Sequence, residues 1–294
     1  MKTPQQSYNK LGEALGITNV FLKREDLHPL HSHKGRSIPI MIKEYRKKEG
    51  IHDFVISSSG NAALAAAKTV WKHNKNNTTQ PITLKIFVGK RISKNKLKIL
   101  KEYVADKHIS LEIVKLPKRQ AFLLDKEGVA KNLRQSTDPK ALVGYLDLAK
   151  ELAKIPDLKA IFIPTSSGTA AEGIALGFKK LDTQIQVHIV QTTQCHPMAE
   201  LFDTQFTPTE HSIAGAIVDL IAHRKNSVEE AIKKSNGFGW VVSDEEIQQA
   251  INITKKTTGI SISANSAISV AGLQKAIANN WKWDGPVACI ITGR

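Results

Sequence analysis

Short apolar runs that end in small polar turns and restart as helices recur along this chain, and that alternation constrains its fold more than any other feature. Asp53-Phe54-Val55-Ile56 reads as a buried strand, followed by an alanine-rich helix over 61–71. Ala160-Ile161-Phe162-Ile163 reads as another strand, followed by a small-residue turn and a helix over 170–180. The same pattern predicts strands at 20–23, 82–88, 111–114, 185–190 and 287–292. It predicts helices at 93–104, 141–153, 244–257 (opened by the cap Ser243) and 266–278. A helical pattern also begins near 37–42, where Pro39 suits a first helical turn. Strands alternating with helices over this length predict a parallel α/β architecture.

At 294 residues the chain can bury a large core and make roughly two domains. The segment 49–134 reads as a small α/β domain of its own, with a polar surface loop at 74–79. Residues 1–48 and 135–294 read as the larger domain, entered through the turn-rich 135–139. No run approaches the ~18 apolar residues of a membrane span. The apolar stretch 213–222 is short and carries Asp219, and residues 1–16 have no apolar h-region. Cys195 and Cys289 lie far apart and fit neither a disulfide framework nor a zinc pattern. A soluble cytoplasmic chain with no membrane partner is the expectation.

The net charge of +15 suits either nucleic acid or phosphorylated small molecules. Its densest run is Lys85, Lys90, Arg91, Lys94, Lys96, Lys98 and Lys101. The helical part has apolar partners and no interleaved aromatics for base stacking, so it reads as a solvated face and no nucleic-acid partner is expected. His28, His31 and His33 do not have standard zinc spacing, and no metal is expected there. Cys195-His196-Pro197 reads as a loop near the sheet's carboxyl edge.

Four stretches carry chemistry. Lys34 sits between a strand and a helix, in Ser32-His33-Lys34-Gly35-Arg36. Burial beside other cations would lower its pKa and make it a Schiff-base nucleophile; the alternative is a solvated lysine. Ser57-Ser58-Ser59-Gly60-Asn61 joins strand to helix, and can bind an anion or simply cap the helix. Pro164-Thr165-Ser166-Ser167-Gly168-Thr169-Ala170 does the same, as a phosphate cradle or a tight turn. It lacks the Gly-Lys-Ser/Thr ending of a P-loop. The last apolar strand ends at Thr292-Gly293, and ligands of open α/β sheets lie outside the carboxyl ends of strands.

In this order the stretches resemble the pyridoxal-phosphate enzymes of the tryptophan-synthase-β fold type, over nearly the whole chain. Lys23-Arg24-Glu25-Asp26 followed by the lysine loop resembles that family's strand and its Ser-x-Lys-x-Arg motif. Ser59-Gly60-Asn61-Ala62-Ala63 resembles its substrate loop, and 166–170 its glycine-rich phosphate loop. Residues 135–152, with Gly144, resemble its crossing segment. Residues 266–273 with Thr292-Gly293 are most similar to the threonine synthase branch. The resemblance implies two domains, each a mostly parallel twisted sheet flanked by helices, with pyridoxal 5'-phosphate bound by the larger one.

The resemblance also implies roles. Lys34 forms the Schiff base with the cofactor and serves as the base at the substrate α-carbon. Asn61 hydrogen-bonds the cofactor's ring hydroxyl, and Ser58, Ser59 and Gly60 hold the substrate carboxylate. Ser166, Ser167, Gly168, Thr169 and Ala170 hold the cofactor phosphate, and Thr292 faces the pyridine nitrogen. The implied reaction is β,γ-elimination of phosphate from O-phosphohomoserine with water addition, on a small amino-acid substrate, by a homodimer. A serine/threonine ammonia-lyase is the alternative, because the lysine loop resembles that branch too. A non-catalytic binding protein on the same scaffold is a third reading, favoured by Ser166 and Thr169 standing where threonine synthases usually have glycine.

Overall fold

The computed structural model describes residues 2–77, 79–90 and 92–293. Thr78 of the polar loop, Arg91 of the basic run and Arg294 lie outside the described residues. In chain order the elements begin β1 (Gln5–Ser7), α1 (Asn9–Leu15), β2 (Val20–Arg24), α2 (Lys34–Glu49), β3 (Asp53–Ser57) and α3 (Asn61–Asn76). They continue β4 (Thr83–Val88), α4 (Lys94–Tyr103), β5 (Ile109–Ile113), α5 (Pro117–Lys126), β6 (Lys131–Asn132), α6 (Lys140–Leu152), β7 (Ala160–Pro164) and α7 (Thr169–Lys180). They end β8 (Gln186–Thr192), α8 (Lys225–Lys234), β9 (Gly239–Val242), α9 (Asp244–Thr258), α10 (Ala264–Ala278) and β10 (Val287–Ile291). The expected α/β class is what forms: mostly parallel sheets flanked by helices.

The chain divides into two compact units, Met1–His28 with Tyr145–Arg294, and Pro29–Gly144. The first unit holds a six-stranded sheet in the order β1-β2-β10-β7-β8-β9. Its β1–β2 pair is antiparallel, and the other strand pairs are parallel among the described residues. Strands β7 and β10 are buried along their whole length, as expected for parallel strands covered on both faces. Alternation sends Phe162, Val287, Cys289 and Ile291 to one face, packed with α1, α9 and α10. Ile161, Ile163, Ala288 and Ile290 go to the other, packed with Tyr145, Ile174, Val228 and Ile232 from α6, α7 and α8. The second unit holds a four-stranded, all-parallel sheet, β5-β4-β3-β6. Its main core joins Ile38, Met41, Phe54, Ile56, Ala66, Val70, Leu84 and Ile86.

Some boundaries differ from the sequence expectation. Helix α2 starts at Lys34, so Pro39 is its sixth residue and not part of the first turn. Burial of Gly35, Arg36 and Ser37 holds helical geometry upstream of the proline, at the cost of one backbone donor. The alanine-rich helix runs on to Asn76, and β8 runs to Thr192. Ser243 does cap α9, in a full capping box with Glu246. Helices α1, α5 and α8 and strands β1, β6 and β9 were not anticipated. The cause is visible in α5 and α8, which bury only Ala121, and Val228 with Ile232. Among the described residues no helix is long and apolar enough to cross a membrane.

Candidate active site

In the first unit, parallel pairing brings the carboxyl ends of β10, β7, β8 and β9 to one edge of the sheet. Thr292 follows β10 there, and Ser166, Ser167, Gly168, Thr169 and Ala170 link β7 to α7. Gly168 is the residue on which this turn depends. Its φ of 79° is left-handed, and an added Cβ would lie 2.8 Å from Val228 Cγ2 and 3.1 Å from Met198 Cε. The Ser167 and Thr169 hydroxyls are 2.9 Å apart. The Ser166 hydroxyl oxygen accepts the N–H groups of Val218 at 3.1 Å and Asp219 at 3.3 Å.

Behind the turn, Gln191 on β8 fixes the backbone by donating to the Thr165 carbonyl at 3.2 Å. Its other side-chain atom accepts the N–H groups of Met198 and Ala199 at 2.9 and 2.8 Å. Glu172 would place a carboxylate in the first turn of α7, where an anion would feel its repulsion. Arg224 neutralises it at 2.7 Å, with both side chains largely buried. Sequence reasoning missed this pair, because 52 residues separate its members.

Thr292 is buried, with its Oγ1 3.5 Å from the Ser266 hydroxyl. Ser263 and Ser266 both donate to the Gly293 carbonyl, at 2.9 and 2.8 Å. The Gly293 N–H returns to Ser266 Oγ at 3.2 Å, so α10 fixes the end of β10 through two serines. Cys195 lies in the loop after β8 as expected, and burial pushes its thiol pKa up to about 11. His196 turns its Nδ1 to the Thr192 carbonyl at 3.1 Å and packs edge-on to Phe206.

In the second unit, β3 pairs in parallel with both β4 and β6, so Ser58, Ser59, Gly60 and Asn61 leave the carboxyl edge of that sheet. Ser58 Oγ accepts the Gly60 N–H at 3.2 Å, and Gly60 caps α3. Ser59 is exposed, and a Cβ on Gly60 would meet no atom within 4 Å. Residues 134–136 leave the same edge after β6, with Arg134 Nε donating to Ser136 Oγ at 3.1 Å. Lys34 is half-buried as the first residue of α2. A Cβ on Gly144 would lie 1.9 Å from the Arg36 carbonyl oxygen, so α6 packs directly on the turn that carries Lys34. The Ser32 hydroxyl, two residues before it, is buried with no hydrogen-bond partner among the described residues. Among the described residues no group of three His, Cys, Asp or Glu side chains could hold a metal ion.

The 166–170 turn fits the phosphate of pyridoxal phosphate. A helix start supplies N–H groups without intrahelical partners, hydroxyls supply further donors, and the Glu172 carboxylate in the first turn of α7 is already paired. The orphaned Ser32 hydroxyl beside Lys34 is a second place where a bound group would satisfy a buried polar atom.

The chain is 24% identical to a threonine synthase of Methanocaldococcus jannaschii, across 99% of this chain and 74% of that one. It is 23% identical to a biosynthetic L-threonine dehydratase of Haemophilus influenzae, across 99% of this chain and 56% of that one. Among solved structures, maize serine racemase superimposes with a TM-score of 0.83 at 19% identity, covering 100% of this chain and 88% of the other. The processed form of threonine deaminase isoform 2 from Solanum lycopersicum gives 0.80 at 20% identity, covering 100% and 84%. A family model described as pyridoxal-phosphate dependent enzyme matches residues 1–293, and the chain belongs to that family, whose cofactor is pyridoxal phosphate.

Proposed function

We propose that this enzyme is a lyase that acts on a small amino acid by elimination or replacement at the β or γ carbon, in the manner of a threonine synthase. The carrying observation is Thr292 at the end of the central strand β10, set beside the Ser266 hydroxyl. Set against the cofactor's ring nitrogen, this neutral hydroxyl would not force its protonation as a carboxylate would, which would suit elimination rather than transamination. Pyridoxal phosphate, when bound, supplies an electron sink for charge developing at the substrate α-carbon.

The chain's own residues do the rest. Lys34 would hold the cofactor covalently and would take the proton from the substrate α-carbon. Asn61 donates to the cofactor's ring hydroxyl. Ser58, Ser59 and Gly60 bind the substrate carboxylate with hydroxyl and N–H donors at the start of α3. Ser166, Ser167, Gly168, Thr169 and Ala170 bind the cofactor phosphate. The net charge of +15 supports a phosphorylated substrate, O-phosphohomoserine, because a basic cleft concentrates anions in a salt-dependent way. A homodimer is the assembly proposed.

Parallel assays with O-phosphohomoserine, threonine, serine and O-acetylserine test this reading, following phosphate, keto acid and acetate. The expected result is phosphate release from O-phosphohomoserine, with kcat/KM falling as ionic strength rises. Keto acid from threonine or serine without phosphate release would instead establish an ammonia-lyase. That second reading is supported by the similarity to the Haemophilus influenzae dehydratase. Turnover of none of the four by cofactor-loaded protein would favour a binding role.

A further inference from the structure

A serine hydroxyl has one proton to donate and two lone pairs to accept with. At Ser166 both lone pairs are engaged, by the N–H groups of Val218 at 3.1 Å and Asp219 at 3.3 Å. Its remaining capacity is the proton, which has no acceptor among the described residues. A hydroxyl held this way is a donor only, which suits an anion and disfavours another donor.

The segment that holds it, 212–222, contains no helix or strand. Side chains from three separate elements hold it by its backbone. Asp244, at the start of α9, accepts the Ile213 N–H at 3.0 Å and the Ser212 hydroxyl at 2.7 Å. Asn265, at the start of α10, accepts the Ala216 N–H at 2.9 Å. Ser166, after β7, accepts the N–H groups of Val218 and Asp219. The segment is therefore a strap along the carboxyl edge of the first unit's sheet. It leaves Ile213, Val218, Leu220 and Ile221 between 49% and 70% exposed.

We propose that Ser166 is a positioning residue that couples occupancy of the phosphate loop to the placement of this strap. The inference rests on the reading of 166–170 as the loop that binds the cofactor phosphate. A hydroxyl that donates to a dianion becomes a stronger acceptor, because hydrogen bonds in a chain polarise one another. A bound phosphate thus tightens the strap's grip at Val218 and Asp219. By linkage, the strap raises phosphate affinity by the same factor. Glycine at this position would bind phosphate through its backbone but would leave the strap untied, so the serine adds a connection that glycine lacks.

Amide hydrogen exchange of the full chain tests the coupling, with saturating pyridoxal phosphate, pyridoxal or no addition. Pyridoxal phosphate should slow exchange several-fold both in 167–170 and in the strap around 218–219, whereas pyridoxal should leave the strap unchanged. In Ser166→Ala the strap protection should vanish while protection of 167–170 persists, and Ser166→Thr should restore it. Strap protection that is equal in Ser166→Ala and the parent protein, or equal with pyridoxal, overturns the coupling alone. Absence of phosphate-dependent protection at 167–170 in the parent protein overturns the phosphate-loop reading and the coupling with it.

Discussion

Gly168 offers a quantitative test of the phosphate turn. Alanine there meets two separate costs. The left-handed φ of 79° disfavours any Cβ, by about 1–2 kcal/mol. The new methyl would also stand 2.8 Å from Val228 Cγ2, 3.1 Å from Met198 Cε and 3.3 Å from Arg224 Cβ. Carbon atoms pack best at about 3.5–4.0 Å, so the wall must retreat by roughly 1 Å. Overpacking of that kind costs about 1–3 kcal/mol. Gly168→Ala should therefore destabilise the first unit by about 2–5 kcal/mol in total. The two costs separate in a double-mutant cycle with Val228→Ala. That substitution alone removes two buried methyl equivalents, worth about 2 kcal/mol, but it opens space for the new methyl. The pair should then be about 1–3 kcal/mol less destabilised than the sum of the single changes. The left-handed cost should survive in the double variant. Urea unfolding of the four proteins, followed by the fluorescence of Trp240, Trp281 and Trp283 in the first unit, measures the cycle. Binding of pyridoxal phosphate should weaken at least about tenfold in the single variant if the turn is displaced, since 1.4 kcal/mol is a factor of ten. Coupling within about 0.5 kcal/mol of zero would refute the steric account.

Three further expectations follow from other parts of the molecule. Borohydride reduction of the cofactor-loaded protein, followed by peptide mapping, should place the pyridoxyl group on Lys34; finding it on another lysine defeats the assignment. Ser167→Asp adds a carboxylate at the phosphate turn and should weaken pyridoxal phosphate binding far more than pyridoxal binding; equal losses would place the phosphate elsewhere. His188 is stacked on Phe162 at 4.6 Å, accepts from Trp240 Nε1 at 3.2 Å, and has its pKa pushed by burial from 6.5 down to about 3. Below pH 6.5 the unfolded chain takes up a proton that the folded imidazole refuses, so stability falls with pH through that window. Between pH 6.5 and 5 the parent should lose about 2 kcal/mol more than His188→Asn, and equal slopes would show that the imidazole is not held neutral.

The parts legible in the sequence are those whose physics is local. The β7–α7 turn was readable because a buried apolar run, a glycine and small hydroxyl residues lie consecutively at 160–170. Strand β10 was readable because burial on both faces requires an unbroken apolar run. Helix α8 was not, because its polar surface outweighs the two side chains it buries. Pro39 misled for a related reason: its preference for a first turn is weaker than the burial of the residues before it. The Glu172–Arg224 pair, the Ser166 ties to the strap and the close packing of Gly144 on Arg36 join residues from 52 to 108 positions apart. No local pattern announces such contacts.

Strand order carries a consequence for how the chain is made. In the first unit β10 lies between β2 and β7, and Val287 pairs with Val20 across 267 positions. At about 5–20 residues per second, β2 leaves the ribosome roughly 15–50 s before the neighbour that completes the sheet. The second unit faces no such delay, since all four of its strands lie between Asp53 and Asn132. Pulse proteolysis of nascent chains arrested before β10 should find that unit protected and the β2 and β7 segments cleavable. Until translation reaches Val287, the apolar flanks of β2 and β7 are two unpaired edges on one nascent polypeptide, and shielding them falls to whatever chaperones meet the chain at the exit tunnel.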